Sequence, residues 1–79
     1  MSEFIRNQKE ERANLIMQVR DVIDTAETEK RGLLGEETQK ITRIEERIAQ
    51  LDESIGYAER NEQRRLEAEQ AGAGHAPVS

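Results

Sequence analysis

The chain has 79 residues, which is enough for one small domain at most. Charged residues make up 37% of it and aromatic residues only 3%, a composition that disfavours an ordinary compact core and is typical of long helices and coiled coils. The formal net charge of -5 disfavours nucleic acid and anionic membrane surfaces as partners.

The sequence also excludes several covalent and membrane features. It contains no cysteine, so it can form neither disulfides nor thiolate metal sites. It has no apolar run near the roughly eighteen residues that a bilayer-spanning helix needs, and no signal segment opens it. We therefore expect a soluble protein that acts in a cytoplasm.

The first predicted element is a helix that begins near Ser2, a residue type that favours the N-cap position. A register with alternating steps of three and four runs along this helix. Three of its positions are Lys9, Arg12 and Lys30. Its apolar members are Ile5, Ile16, Val19, Ile23, Ala26 and Leu33. Leu15 and Val22 precede two of these by one position and widen the stripe. Because a two-helix seam uses only two columns, the third column predicts a partner beyond the second helix.

A sharp turn is predicted where Gly32 and Gly35 bracket two leucines, just before Glu36 and Glu37. Glycine tolerates the left-handed backbone that ends a helix. Acidic residues suit the first turn of the next helix, where backbone N–H groups are exposed. The stretch therefore predicts a helix, a turn and a second helix.

The second helix has the more regular pattern. Its core positions follow steps of three, four, three, four and three: Ile41, Ile44, Ile48, Leu51, Ile55 and Ala58. The register then reaches Glu62, so we expect the apolar core to end at Ala58 even if the helix continues. Gly56 interrupts this helix, either because a neighbouring backbone approaches closely or as a tolerated surface glycine.

These patterns predict an all-α fold. The two helices would form an antiparallel hairpin or coiled coil, and the hairpins would form oligomers. The hairpin domain covers residues 1–70. Residues 71–79 consist mostly of small, uncharged side chains and are predicted to form a disordered tail or linker.

The residues that could carry catalysis or bind metal are few. His75 is the single histidine and lies in the predicted tail, where no other ligand converges on it. Three pairs of neighbouring glutamates could suggest acid–base catalysis: Glu10 and Glu11, Glu36 and Glu37, Glu45 and Glu46. Catalysis needs such carboxylates desolvated in a pocket. A two-helix hairpin has no pocket, so we predict that they lie on solvated faces. We predict no catalytic, cofactor-binding or metal-binding residue, and a protein that is not an enzyme.

A small basic patch lies near the end of the second helix, formed by Arg60, Arg64 and Arg65. Four glutamates surround it, and no aromatic residue is interleaved for base stacking, so it favours a solvated or partner-facing surface over nucleic acid. The polar face of the first helix is mixed in charge, which disfavours a membrane surface. With nucleic acid and membranes disfavoured, the sequence favours protein–protein interaction through apolar helical faces.

The candidate helix–helix interface comprises the apolar positions of both helices and of the turn: Leu15, Ile16, Val19, Val22, Ile23, Leu33, Ile41, Ile44, Ile48, Leu51 and Ile55. One part of this set closes the hairpin, and the surplus joins neighbouring copies. On this assignment Val22→Asp should abolish self-association, because an unpaired charge in an apolar contact is costly.

A longer pattern carries a family resemblance. Its residues are Arg20, Ile23, Ala26, Glu27, Glu29, Arg31, Leu33, Glu36, Glu37, Ile44, Ile48, Leu51, Asp52 and Ile55. This pattern, within residues 5–62, resembles the N-terminal segment of the major capsid proteins of tailed bacteriophages of the Hong Kong ninety-seven type. The most telling part is the turn at residues 29–33 placed before the two glutamates. Gly35 departs from the family, which commonly has a serine or threonine helix cap there.

The resemblance implies a scaffolding segment, or delta domain. In that family the segment precedes the shell domain, lies inside the immature procapsid in the host cytoplasm, guides capsomer assembly and is removed by the phage maturation protease. Its partners would be other copies, the shell domain and that protease, with no cofactor. The chain would then be an excised scaffold region, an engineered fragment or a separately encoded scaffold, and residues 71–79 would suit the cleaved junction.

Two other functions fit the same sequence. One is a generic coiled-coil oligomerisation or adaptor module with no capsid role. The other is a small regulatory binder of the inhibitor type, which would present its acidic face to a basic partner. A scaffold should self-assemble, whereas an inhibitor should remain a monomer or dimer until it meets its target.

Overall fold

A computed structural model describes residues 2–71 and contains two helices, α1 (Glu3–Thr28) and α2 (Gly35–Gln70). The two helices pack against each other in opposite directions, since Lys9 Nζ lies 2.8 Å from a carboxylate oxygen of Glu59 while Arg47 Nε lies 2.9 Å from one of Glu11. No strand occurs within residues 2–71. The predicted all-α hairpin is confirmed; its oligomerisation stays a prediction.

The start of α1 follows the expected capping chemistry. Ser2 has extended backbone angles, and its Oγ accepts a hydrogen bond of 3.1 Å from the backbone N–H of Ile5. This bond satisfies one of the N–H groups that the first turn of a helix leaves without a partner. The predicted N-cap at Ser2 is therefore confirmed.

The end of α1 differs from the prediction that glycine would supply the left-handed residue. Lys30 has a positive φ of 55°, and it is the one non-glycine residue of the described chain with such a value. The N–H of Lys30 bonds to the carbonyl of Glu27, and the N–H of Arg31 bonds to the carbonyl of Ala26, each at 3.0 Å. This pair of bonds is a Schellman motif, so α1 ends before Gly32 is reached.

The connection between the helices spans residues 29–34, and α2 begins without a side-chain cap at Leu34. The Glu37 side chain reaches back to the cap residue instead: one of its carboxylate oxygens accepts a 2.9 Å hydrogen bond from the backbone N–H of Leu34. Glu37 is the third residue of α2, so this bond is one half of a capping box. Two glutamates in the first turn also suit the positive end of the helix dipole.

The second helix is the longer arm of the hairpin, with 36 residues against 26 in α1. At about 1.5 Å per residue α2 therefore runs roughly 15 Å past the start of α1. Leu66 lies on this extension and is 41% exposed. Ile55 is the last buried apolar residue of α2, so the seam ends before the register reaches Glu62, as the sequence predicted.

Of the predicted tail at 71–79, only Ala71 is described, as the C-cap of α2. The rest of the tail, with His75, lies outside the described residues.

Candidate self-association interface

The seam that closes the hairpin is narrow and apolar. Its buried side chains are Ile5 and Ala26 from α1 and Ile44, Leu51 and Ile55 from α2. Half-buried residues complete it: Leu15, Val19 and Val22 from α1 and Ile41, Ile48 and Ala58 from α2. Each fully buried aliphatic side chain stabilises a fold by about 1.5–3 kcal/mol, so this short list is the main support of the hairpin.

The seam residues of α1 differ from those that the sequence predicts. The sequence pattern predicts Ile16 and Ile23 in the seam and Leu15 and Val22 in the additional apolar column. In the structure Leu15 and Val22 are half-buried, whereas Ile16 is 42% and Ile23 39% exposed. The surplus column is therefore Ile16 and Ile23, and Val22→Asp would damage the hairpin itself before it could report on self-association.

The reason for this register lies near the start of α1. If Ile16 and Ile23 formed the seam, Lys9 would occupy it one heptad earlier; the observed register places the uncharged Gln8 there instead, half-buried. Lys9 lies beside the seam and pairs with Glu59. Burying an amide costs less free energy than burying an ammonium group, which favours the observed register.

Leu33 does not lie in the helix–helix seam. It belongs to the connection between the helices and is 40% exposed, and its neighbour Leu34 is 51% exposed. The structure thus divides the predicted interface into seam residues, the outer residues Ile16 and Ile23, and Leu33 at the turn. Whether the outer residues contact another molecule stays a prediction.

An open groove runs along the outer side of the hairpin between the two helices, and we call it the outer groove. It is lined by Ile16, Val19, Arg20, Ile23, Glu45 and Ile48. Its floor is aliphatic, and one charged side chain stands on each edge, Arg20 on α1 and Glu45 on α2. No side chain of the described hairpin covers it, so it offers an apolar surface ready for contact with another molecule.

Ion pairs border the seam and fix the alignment of the two helices. Lys9 pairs with Glu59 and Arg12 with Asp52. Arg47 forms a two-pronged pair with Glu11, because its Nε and one terminal nitrogen donate to the two carboxylate oxygens at 2.9 and 3.2 Å. The hydrogen bond from Arg47 lowers the pKa of Glu11.

The paired side chains are about half exposed. Water therefore screens their attraction, and each pair contributes modestly to stability. Their main effect is on alignment, since a shift of one helix along the other would separate all three pairs.

The turn is held by a cluster of charges that the sequence pattern did not reveal, centred on Arg31. Its guanidinium donates two hydrogen bonds to the carboxylate of Glu37, at 2.9 and 3.1 Å, and one of 2.6 Å to Glu29. A further bond of 3.1 Å reaches the carbonyl of Gly32. We call this arrangement the arginine clasp. It ties the end of α1 to the first turn of α2.

The clasp shifts the ionisation of its members. Hydrogen bonds from the Arg31 guanidinium, and then from the Leu34 backbone N–H, lower the pKa of Glu37 from 4.5 to about 2. The hydrogen bonds to Glu37 and Glu29 raise the pKa of Arg31. A signal for the clasp was present in the sequence, because a glutamate at the third position of a helix commonly bonds back to the chain before it.

Two arginines near the end of α2 also make contacts within the hairpin. Among the basic residues of α2, Arg65 contacts Glu62 at 2.9 Å and Glu69 at 2.6 Å, and these partners raise its pKa. Arg60 stacks over the ring of Tyr57, 4.8 Å from its centroid, a contact that the sequence pattern did not indicate. Within residues 2–71 no cluster of three or more acidic or histidine side chains has a geometry suited to a metal ion.

Scans of the chain against protein-family models, curated proteins and solved structures found no match. Among the described residues, neither helix combines the length and apolar character needed to cross a bilayer. What the geometry offers chemically is an interaction surface, the outer groove.

Proposed function

We propose that this chain is a scaffolding segment of a phage major capsid protein of the Hong Kong ninety-seven type. In this role it guides procapsid assembly through helix–helix contacts between copies and is removed by proteolysis on maturation. The family in this proposal comes from the sequence resemblance alone, since the comparisons name none.

The single observation that carries the proposal is the outer groove. The seam of the hairpin is complete without Ile16 and Ile23, yet these two side chains remain as exposed apolar surface beside Ile48. Such a surface is small, so one contact between two copies is weak and reversible. When many copies are tethered to a growing shell, the weak contacts add up through high effective concentration. Reversible contacts also allow wrongly placed subunits to leave.

The residues that carry the resemblance have a structural purpose in this hairpin. Glu29, Arg31 and Glu37 belong to the arginine clasp, and Leu51 and Ile55 belong to the seam. These five residues of the matching pattern thus stabilise the hairpin, three of them at its turn and two in its seam. The capsid role depends in addition on self-association and on the attachment to a shell domain.

Self-association is tested by removing one apolar side chain from the outer groove. Ile23→Gln should weaken association about tenfold or more, because an aliphatic group that becomes buried in the contact between copies is replaced by an amide. Glutamine favours helices at least as well as isoleucine, so the hairpin itself should stay folded. Leu66→Gln is the matched control: Leu66 is 41% exposed, similar to Ile23 at 39%, but it lies outside the groove.

Analytical ultracentrifugation of the parent and both variants gives the masses, and circular dichroism verifies helix content. Loss of association in Ile23→Gln alone supports the proposal. Equal association in the parent and Ile23→Gln would place the contact elsewhere, and a parent that stays monomeric would remove the scaffold function.

The attachment to a shell is tested by reading the coding frame beyond Ser79. A continuation of a few hundred residues with mixed α/β patterning supports a scaffold arm of a capsid protein. A stop codon there leaves a free-standing scaffold or a generic coiled-coil module, and the self-association data then separate either of these from an inhibitor-type binder.

A further inference from the structure

The outer groove has a charge pattern that indicates what covers it. Arg20 stands on its α1 edge and Glu45 on its α2 edge, with the aliphatic floor between them. The nearest acidic contact of Arg20 in the hairpin is Asp24, at 3.8 Å, and the Arg20 side chain is 73% exposed. A surface with one positive edge and one negative edge is complementary to itself, which is the requirement for a two-fold symmetric interface.

We propose that a second copy of the chain covers the outer groove, in a dimer whose two-fold axis runs parallel to the helices. This inference rests on the proposed self-association and specifies its geometry. The product is a four-helix bundle in which α1 of each copy lies against α2 of the other.

The parallel axis follows from where the charges stand. Rotation about an axis parallel to the helices keeps every residue at its level along the bundle and places α1 opposite α2 of the second copy. The ion pair between Arg12 and Asp52 fixes the alignment of the helices, and about two helical turns further along it Arg20 and Glu45 lie at nearly the same level of the groove. Arg20 of each copy then faces Glu45 of the other, which gives two ion pairs on opposite sides of the dimer.

The same rotation matches the apolar residues. Ile16 on α1 comes to face Ile48 on α2 of the second copy, and Ile23 extends the same apolar face about two helical turns further along, so the aliphatic floors of the two grooves form a continuous core. Each helix is then antiparallel to both of its neighbours, as in up-and-down four-helix bundles, and the helix dipoles oppose each other.

The alternative two-fold axis, perpendicular to the helices, fits the charges poorly. It places α1 against α1 of the second copy, and with the axis at the centre of the groove Arg20 would face Arg20. The two Glu45 carboxylates would face each other on the other side. Like charges across an interface disfavour that arrangement.

The test exchanges the two charges between copies. One variant carries Arg20→Glu and the other carries Glu45→Arg, and both positions are exposed, so the hairpin should stay folded. Each variant alone would bring like charges together at both ion-pair positions of the dimer. We expect about a tenfold weaker association for each variant than for the parent at low salt.

The equimolar mixture of the two variants is the decisive sample. In a mixed dimer with the proposed axis, the carboxylate introduced at position 20 of one copy meets the guanidinium introduced at position 45 of the other. On the opposite side of the dimer the unaltered Arg20 and Glu45 meet, so opposite charges face each other at both positions. Sedimentation of the mixture should recover association close to that of the parent.

A mixture that associates no better than the separate variants would overturn the proposed axis, as would variants that associate as tightly as the parent. In both cases self-association of the parent, and with it the proposed function, would stand. A monomeric parent would instead remove both proposals.

Cross-linking gives a second readout that does not depend on the strength of the ion pairs. The chain has no cysteine of its own, so Arg20→Cys and Glu45→Cys place single thiols on the groove edges. With a short bis-maleimide, the mixture of the two variants should cross-link more efficiently than either variant alone. Preferential cross-linking within Arg20→Cys alone would instead indicate the perpendicular axis.

Discussion

Leu51→Ala probes the support of the hairpin most directly. Leu51 is 1% exposed, the lowest exposure among the buried apolar side chains of the described residues. Truncating a buried leucine to alanine costs about 2–5 kcal/mol, depending on how far the surroundings collapse. The seam is narrow and open at its edges, so we expect the lower part of that range, about 2–3 kcal/mol.

This loss is large for a fold of this size. Stability of about 0.05–0.15 kcal/mol per residue is usual, so the variant should lose a considerable part of its free energy of unfolding. For a domain of this length each kcal/mol shifts Tm by about 4–8 °C, which predicts a decrease of roughly 10–20 °C.

The assay is thermal and urea unfolding followed by circular dichroism at one fixed protein concentration, because association also stabilises the folded state. Leu66→Ala is the matched control: it makes the same substitution in the same helix at a side chain that is 41% exposed. Its expected cost is below about 0.5 kcal/mol. Equal losses for the two variants would refute the account of the seam.

Three further predictions concern the turn and the second helix. Lys30→Gly should stabilise the hairpin by about 0.5–1 kcal/mol, because glycine adopts the left-handed conformation at this position without a steric cost; a lower urea midpoint would contradict the Schellman end of α1. Glu37→Gln should destabilise the hairpin at pH 7. The folded-state pKa of Glu37, about 2, is below its ordinary value of 4.5, so its contribution is complete above the ordinary value and is lost as the pH falls from there through about 2. The difference between parent and variant in urea unfolding should therefore shrink steadily over this pH range, and a constant difference from pH 7 to pH 2 would exclude the clasp as its source. Gly56→Ala should stabilise α2 by about 0.5–1 kcal/mol. An added Cβ would meet only the flexible end of Arg60, at 3.3 Å, and a loss of stability in thermal unfolding would indicate a closer neighbour.

The fold could be predicted from the sequence because α2 permits only one register. Its core positions are all apolar, and the positions beside them are mostly polar, so its seam is defined by pattern alone. The interruption of the apolar pattern between Ala26 and Ile41 then predicts a turn, and two long amphipathic helices joined by a short turn pack against each other.

The register of α1 could not be predicted in the same way. At Leu15 and Ile16, and again at Val22 and Ile23, both neighbouring positions are apolar, so two seams fit the pattern equally well. The choice depends on burying Gln8 in place of a lysine and on ion pairs with α2, which are contacts between distant parts of the chain.

The end of α1 differs from the sequence prediction for a related reason. Glycine is the usual left-handed residue at a helix end, and two glycines lie close by. Lys30 takes that conformation because the arginine clasp fixes the next residue, Arg31, and the hydrogen bonds of the Schellman motif offset the steric cost.

Association of hairpin copies through the outer groove is what the proposed function requires, and sedimentation equilibrium of the unaltered chain over a wide concentration range measures it. The single chain has a mass of 9.1 kDa. If the copies associate, the weight-average mass should rise with concentration to at least twice this value. A mass that stays at that of one chain up to about millimolar concentration would exclude association through the groove, because even weak contacts between copies are populated in that range.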